Sequence, residues 1–111
     1  MSRWVPVCRY DQLEVERGSA ALVEGEQIAL YRLPDGSVHA LHNRDPFSRA
    51  YVMARGIVGS FGGTPYVASP MHKQGFSLAT GQCLDDAETA VKVYPVRISD
   101  GVVHVAWEGS P

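Results

Sequence analysis

The chain has 111 residues, 45% of them hydrophobic and 20% charged, a composition typical of a folded globular domain rather than a disordered segment. Twelve acidic against ten basic residues give a net charge of -2, and a chain without a basic surplus is not expected to bind nucleic acid. No apolar run approaches the roughly 18 residues of a membrane span, and the first residues lack a signal-peptide pattern. We therefore expect one cytoplasmic domain over residues 1–111, with neither nucleic acid nor a membrane as partner.

The first half of the chain predicts short strands separated by turns. Turn residues recur roughly every 8–12 residues between β-prone runs, which is the spacing of a β-sandwich or a small barrel. In residues 27–33, apolar Ile28 and Leu30 alternate with polar residues until Leu33 breaks the register, and the Pro-Asp-Gly sequence of residues 34–36 predicts a turn. Strands are predicted at residues 4–9, 20–23, 27–33 and 37–42, with a helical turn at 11–16.

The second half predicts three hairpins and two irregular loops. Gly62 and Gly63 mark the turn of the first hairpin. The hairpin strands are predicted at residues 57–61 with 65–68, 76–78 with 83–84, and 91–98 with 102–107. The buried face of the last hairpin is expected to comprise Val91, Val93, Val96, Ile98, Val103, Val105 and Trp107. Residues 43–55 and 69–75 have no clean period and predict loops. The predicted fold class is all-β, a sandwich with a small subdomain built from residues 45–48 and 69–75.

The reactive residue types form no recognisable catalytic or metal-binding pattern. His39 and His104 fall at solvent-facing strand positions, and His42 and His72 fall at the two loops without the further ligands that a metal site needs. No serine lies in a Gly-x-Ser-x-Gly sequence followed by a helix. The two cysteines lie far apart in the chain and are expected to be free thiols. From the residues alone we expect no catalytic residue, no bound cofactor and no metal.

The two loops taken together resemble the cluster-binding loops of Rieske proteins. In that family the first loop contains Cys-Pro-His after a strand and an Asn-Arg or similar pair, and the second reads Cys-Pro-x-His-Gly-x-x-Phe-x-x-x-Thr-Gly. Here residues 40–48 read Ala-Leu-His-Asn-Arg-Asp-Pro-Phe-Ser, and residues 68–83 read Ala-Ser-Pro-Met-His-Lys-Gln-Gly-Phe-Ser-Leu-Ala-Thr-Gly-Gln-Cys. The resemblance extends to Val105 and implies a Rieske-like β-sandwich whose two loops form a small cluster-binding-like subdomain.

The residues at the ligand positions differ from those of the Rieske family. A Rieske centre holds one iron by two cysteines and the other by two histidines. The matching positions carry Asp45, Phe47, Ser69 and His72, so only the last ligand is kept. Phenylalanine cannot coordinate iron, and Asp and Ser offer hard oxygen where soft thiolate is required. The resemblance therefore implies a Rieske fold without its cluster, in which we expect the Phe47 ring to fill the space between the loops.

The same pattern closely resembles one family, the small subunit of the cytoplasmic NAD(P)H-dependent nitrite reductase. Its members carry Asn-Arg-Asp-Pro-Phe-Ser, as residues 43–48 do, Arg-Gly-Ile-Val-Gly, as residues 55–59 do, and a Ser-Pro-x-x-Lys-Gln-x-Phe-Ser-Leu-x-Thr-Gly segment, as residues 69–81 do. In that family the large subunit carries FAD, an iron–sulfur cluster and sirohaem and reduces nitrite to ammonium in nitrate assimilation. The resemblance implies that this chain is the cofactor-free accessory subunit, with the large subunit as its partner.

Two other functions stay open from the sequence. One is a free-standing Rieske-like binding or regulatory module, and the other, less favoured, is a Rieske ferredoxin that carries electrons. A visible absorption spectrum separates the ferredoxin from the other two, because a cluster is coloured. Co-purification with a large flavin-containing partner separates the accessory subunit from the free-standing module.

The tip formed by the two loops is the expected partner surface. In a cluster-bearing Rieske protein this tip is the surface through which electrons leave, and losing the cluster need not remove the contact. Aromatic residues, Met and Arg are enriched at interface centres, and local positive charge is expected to steer the tip towards an acidic face. The predicted partner-contact residues are Arg44, Phe47, Arg49, Tyr51, Met71, His72, Lys73 and Gln74.

Overall fold

The computed structural model describes residues 2–71 and 73–108, and within these it consists of antiparallel strands joined by turns. The all-β prediction is confirmed. The strands are β1 (Ser2–Arg9), β2 (Gly18–Val23), β3 (Glu26–Arg32), β4 (Val38–His42), β5 (Ile57–Phe61), β6 (Thr64–Ala68), β7 (Gly75–Ser77), β8 (Val93–Tyr94), β9 (Val96–Ser99) and β10 (Val102–Glu108). Short 3-10 turns at Tyr10–Gln12 and Met53–Arg55 supplement them. In the described part of the chain no helix is long and apolar enough to cross a membrane.

Three antiparallel sheets build the molecule. Their strand orders are β1-β10-β9, β2-β3-β4-β8 and β5-β6-β7. The first and last strands pair with each other, with Ser2 opposite Glu108. The four-stranded sheet contributes to both hydrophobic cores, one shared with β1 and β10 and the other with β6 and β7. It therefore forms the central layer, and the small sheet of β5, β6 and β7 carries the two irregular loops at one end.

Strand β3 shows why this layer is buried on both faces. Ile28 and Leu30 point into the first core, while Ala29 and Tyr31 point into the second. Successive side chains of a strand alternate between faces, so a strand covered on both sides reads as a continuous apolar run. The predicted alternation of apolar and polar residues is therefore wrong at Ala29 and Tyr31, which are both buried. The Tyr31 hydroxyl donates to the backbone oxygen of Met53 and holds the second 3-10 turn against the sheet.

The predicted last hairpin is only partly correct. Pro95 divides its first strand in two: β8 pairs with β4 in the central sheet, and β9 pairs with β10. Proline has no N–H to give to a ladder, which favours such an interruption. Val91 and Val93 consequently belong to the second core, and Ile98, predicted as buried, is 42% exposed.

The predicted hairpin of residues 76–84 is also revised. Strand β7 pairs with β6, with Ala68 opposite Gly75, and Phe76 and Cys83 form only an isolated bridge. Cys83 is buried in the second core, whereas Cys8 packs against the first. The two free thiols therefore lie on opposite sides of the central sheet.

Candidate functional site: the two-loop tip

The first loop, residues 43–52, is organised by Asp45. The backbone N–H of Asp45 donates to the Ala50 oxygen at 2.8 Å, and the Arg49 N–H donates to the Asp45 oxygen at 2.7 Å. The carboxylate of Asp45 accepts the N–H groups of Phe47 at 2.8 Å and Ser48 at 3.3 Å. Arg49 occupies the left-handed region with a φ of 66°. Asp is favoured at the first position of such a turn, here residue 45, because its side chain can bond to the backbone two residues further along the chain.

The second loop, residues 69–74, repeats this arrangement. Ser69 donates its N–H to the Gln74 oxygen at 2.9 Å and accepts the Lys73 N–H at 2.8 Å. Its hydroxyl accepts the Met71 N–H at 3.3 Å, and Lys73 is left-handed with a φ of 62°. His72, the remaining ligand-type residue, lies outside the described residues. Each loop is thus a short turn closed by the residue at a former cysteine position.

A third turn, residues 77–82, has the same form and lies at the other end of β7 from the second loop. Ser77 donates its N–H to the Gln82 oxygen at 2.9 Å and accepts the Gly81 N–H at 2.7 Å. Here the left-handed position is a glycine, with a φ of 79°. This turn corresponds to the Thr-Gly end of the sequence motif, so the motif encodes a backbone shape as well as ligands.

The two loops are joined by a direct side-chain hydrogen bond. The Ser69 hydroxyl donates to the second carboxylate oxygen of Asp45, and both residues are buried. Among the described residues, the buried polar side chains are those of Asn43, Asp45, Ser69 and Ser77. Asn43, Asp45 and Ser69 organise the two loops and Ser77 organises the third turn, and buried polar groups of this kind are usually hydrogen-bonded. The side chains at the two positions that carry cysteine in Rieske proteins therefore face each other and are hydrogen-bonded to each other.

The donor set does not fit an iron–sulfur cluster. A Rieske [2Fe-2S] centre needs two thiolates and two imidazoles, and the described positions supply a carboxylate, a phenyl ring and a hydroxyl. The carboxylate and the hydroxyl are also engaged with each other. In the described residues no group of three or more His, Cys, Asp or Glu side chains is placed to hold a metal ion.

Phe47 does not fill the space between the loops as the sequence led us to expect. Its side chain is 38% exposed, and its ring lies tilted against Phe76 with the centroids 6.1 Å apart. Asp45 and Ser69 take the inner position, where their short side chains reach each other, while the partly exposed Phe47 ring covers the buried Phe76. The aromatic ring is then available at the surface of the tip.

The other predicted contact residues lie on the same two loops. Tyr51 and Met71 are 50% and 49% exposed, and Lys73 is exposed as predicted. Gln74 is only half-exposed, and its side-chain oxygen is buried without a hydrogen-bond partner among the described residues. The tip thus combines exposed aromatic, thioether and cationic side chains.

Asn43 has a role that sequence patterns did not reveal. It is 3% exposed, and its side chain joins β3 to both ends of the first loop. The amide donates to the Gln27 side chain at 3.0 Å, and its oxygen accepts the Ala54 N–H at 2.7 Å. An Asn directly after a strand is the feature of the sequence that could have predicted this role, because its side chain can replace a missing backbone hydrogen-bond partner.

A basic groove runs along the side of the first loop. It is lined by His42, Arg44, Pro46, Arg49, Ala90, Val91 and Lys92. Lys92 was not predicted at this surface. The pairing of β8 with β4 brings Lys92 beside His42, and the backbone N–H of His42 donates to the Lys92 oxygen at 2.9 Å. The Arg44 side chain makes a long contact, 3.4 Å, with the Arg49 backbone oxygen.

Asp45 is ionised in the folded protein. Burial raises the pKa of its carboxyl, but the hydrogen bonds from Ser69, Phe47 and Ser48 outweigh this and hold the pKa below its ordinary value. A carboxyl whose pKa is lowered on folding adds stability above its unfolded pKa of about 3.9, and that stability is lost as the pH falls through the folded value.

We expect Asp45→Asn to flatten this acid dependence. Asn at 45 keeps an acceptor for the loop N–H groups but has no proton to gain, so the stability difference between the parent and the variant should be largest near pH 6 and shrink below about pH 4. Urea unfolding from pH 6 to pH 3 measures it. A difference that stays constant over this range would show that Asp45 does not titrate as described.

Comparison with known proteins supports a common origin over nearly the whole chain. A family model for the Rieske-like [2Fe-2S] domain matches residues 3–106. The nitrite reductase (NADH) small subunit of Escherichia coli K12 is 40% identical over 106 residues, covering 95% of this chain and 98% of that protein. A crystal structure from Mycobacterium tuberculosis, described as an NADH-dependent nitrite reductase small subunit, superimposes with a TM-score of 0.94 at 49% identity, covering 99% of each chain.

One relative is much longer than this chain. The nitrite reductase [NAD(P)H] large subunit of Klebsiella oxytoca is 40% identical over 107 residues, which are 96% of this chain and 11% of that protein. A similar domain is therefore found both as a separate small subunit and within a longer polypeptide.

Proposed function

This chain belongs to the Rieske-like [2Fe-2S] domain family and, within it, to the nitrite reductase (NADH) small subunits, and from this we propose that it docks by its two-loop tip on the cofactor-bearing large subunit of NAD(P)H nitrite reductase. As a subunit of that oxidoreductase it serves the reduction of nitrite to ammonium in nitrate assimilation. It supplies no catalytic residue of its own. The proposal takes residues 1–111 as one domain acting in the cytoplasm.

The observation that carries the proposal is the hydrogen bond between Asp45 and Ser69. It occupies the two positions from which a Rieske protein would donate thiolates, and it closes the loops without iron. An electron carrier needs its cluster, so this donor set argues for an accessory role. FAD, an iron–sulfur cluster and sirohaem then belong to the large subunit.

The longer relative from Klebsiella oxytoca supports the choice of partner. There a similar domain is part of a large-subunit polypeptide, so the two components of the enzyme are held together by the chain itself. We infer that the separate form is held by an interface instead. Exposed Phe47, Tyr51 and Met71 beside Arg44 and Arg49 give the tip the composition of an interface centre with cationic surroundings.

Co-purification with the large subunit from the native cell tests this function. We expect the parent chain to capture a flavin-containing partner, and the chain alone to be colourless and free of iron. The variant Arg49→Glu/Lys73→Glu should lose most of the captured partner, because two cations at the tip become repulsive towards an acidic face.

A matched variant controls for net charge. Arg9→Glu/Arg17→Glu changes the charge by the same amount at exposed ion pairs with Asp11 and Glu14, and it should capture the partner like the parent. Stoichiometric iron in the isolated chain would support the ferredoxin and contradict the proposal. Absence of any captured partner would favour the free-standing module, and undiminished capture by the tip variant would place docking on another surface.

A further inference from the structure

The basic groove beside the first loop brings three cations together on one surface. Among the described residues Arg3, Arg9 and Arg17 each pair with a carboxylate. Within the same residues, Arg44, Arg49 and Lys92 form no ion pair, although they line one groove of about 470 Å³. A concave surface lined by one sign of charge focuses the electrostatic field and attracts the opposite charge.

The two nearby acidic residues, Asp45 and Glu26, are not part of the described groove lining. Asp45 lies between Arg44 and Arg49 in sequence, but its carboxylate is buried and bound to Ser69 and the loop N–H groups. Glu26 lies 3.6 Å from the His42 ring and accepts the Tyr94 hydroxyl at 3.0 Å. No carboxylate residue is among the described residues that line the groove. The groove lining is therefore cationic in a chain whose net charge is -2.

We propose that this groove binds carboxylate side chains of an acidic segment of the partner polypeptide. The guanidinium of Arg presents a planar fork that matches a carboxylate with two hydrogen bonds, and Arg44 and Arg49 both line the groove. The Lys92 ammonium lies over the Tyr94 and Trp107 rings, 5.0 and 5.8 Å from their centroids, and its flexible stem lets the ammonium turn towards a bound acid. The inference rests on the proposed function and names the chemistry of the partner at a surface that extends the tip.

A peptide titration of the isolated chain tests the groove without the large subunit. Hexaglutamate is the probe, and amide shifts are followed by NMR. We expect saturable shifts at His42, Arg44, Arg49 and Lys92, abolished in Arg44→Glu/Lys92→Glu and kept in Arg9→Glu/Arg17→Glu. Amide shifts of equal size in the two variants would overturn the inference. Tighter binding of inorganic pyrophosphate than of hexaglutamate would also overturn it, because it would indicate a phosphate ligand.

Titration of the large subunit separates this inference from the proposed function. Binding to the parent chain should weaken about tenfold in Arg44→Glu/Lys92→Glu, and its salt dependence should become shallower. The Arg9→Glu/Arg17→Glu control should bind like the parent. If the groove variant binds as tightly as this control, the groove inference is wrong and the proposed function stands. If the parent itself does not bind the large subunit, the proposed function fails, and the acidic partner segment inferred here fails with it.

Discussion

Replacing Asp45 with alanine is expected to lower the free energy of unfolding by about 3 kcal/mol, since it removes a buried acceptor shared by three donors. The Ser69 hydroxyl and the N–H groups of Phe47 and Ser48 would all lose this partner. A buried donor left without a partner keeps its full desolvation penalty, which is larger than the net gain of the bond itself. Urea unfolding at pH 7 measures the change.

A double-mutant cycle isolates the bond between the loops. Ser69→Ala should destabilise the protein less than Asp45→Ala does, because Asp45 keeps its two N–H donors. In Asp45→Ala/Ser69→Ala the loss should be smaller than the sum of the single losses, since the two side chains act on each other. Additive losses would mean that the two residues stabilise their loops independently, and that the loops are joined in another way.

Gly81→Ala is expected to destabilise the protein by about 4 kcal/mol or to prevent folding. Gly81 has a φ of 79°, and a β-carbon there would lie 2.0 Å from the Val91 backbone oxygen. The left-handed conformation costs a non-glycine residue about 1–2 kcal/mol. The clash is with backbone and cannot be relieved by a rotamer change, so the Val91 N–H bond to the Gly81 oxygen at 2.8 Å would also be disturbed.

Gly25→Ala is the matched control for this second variant. Gly25 has a similar φ of 85°, but a β-carbon there meets nothing within 4 Å. It should therefore show the conformational cost alone, about 1 kcal/mol. Thermal unfolding of both variants compares them directly. Equal losses would show that the turn of residues 77–82 can move away from Val91, and that the close backbone approach does not require glycine at 81.

The strands could be predicted from local patterns, and the layers only in part. Val58 and Val67 stand between turn residues in short β-prone runs, so their hairpin was predicted with nearly its observed bounds. The double burial of β3 could not be read from alternation, because Tyr31 carries a hydroxyl whose partner, Met53, is remote in sequence. The predicted strand over residues 91–98 runs through Pro95, because the local pattern does not show that the chain changes sheets there.

The candidate site could be predicted as positions but not as contacts. The motif placed Asp45 and Ser69 at former ligand positions, and the structure shows these two side chains bonded across the loops. Nothing local in sequence determines which of Asp45 and Phe47 points inwards, since this depends on how the two loops face each other. Lys92 joined the basic groove for the same reason, through a strand pairing that only the tertiary structure supplies.

The pairing of β1 with β10 has a consequence for how this domain is attached to a partner. Because Ser2 lies opposite Glu108, a tether fused before β1 or after β10 leaves the domain from the same place. A short flexible tether of either kind holds a domain at an effective concentration in the millimolar range around its partner. A domain built into a longer polypeptide can then dock through weak contacts, whereas a separate subunit must supply the whole association free energy from its surface. Cations such as Arg44 should therefore be more critical in a separate subunit than at the same positions of a tethered domain.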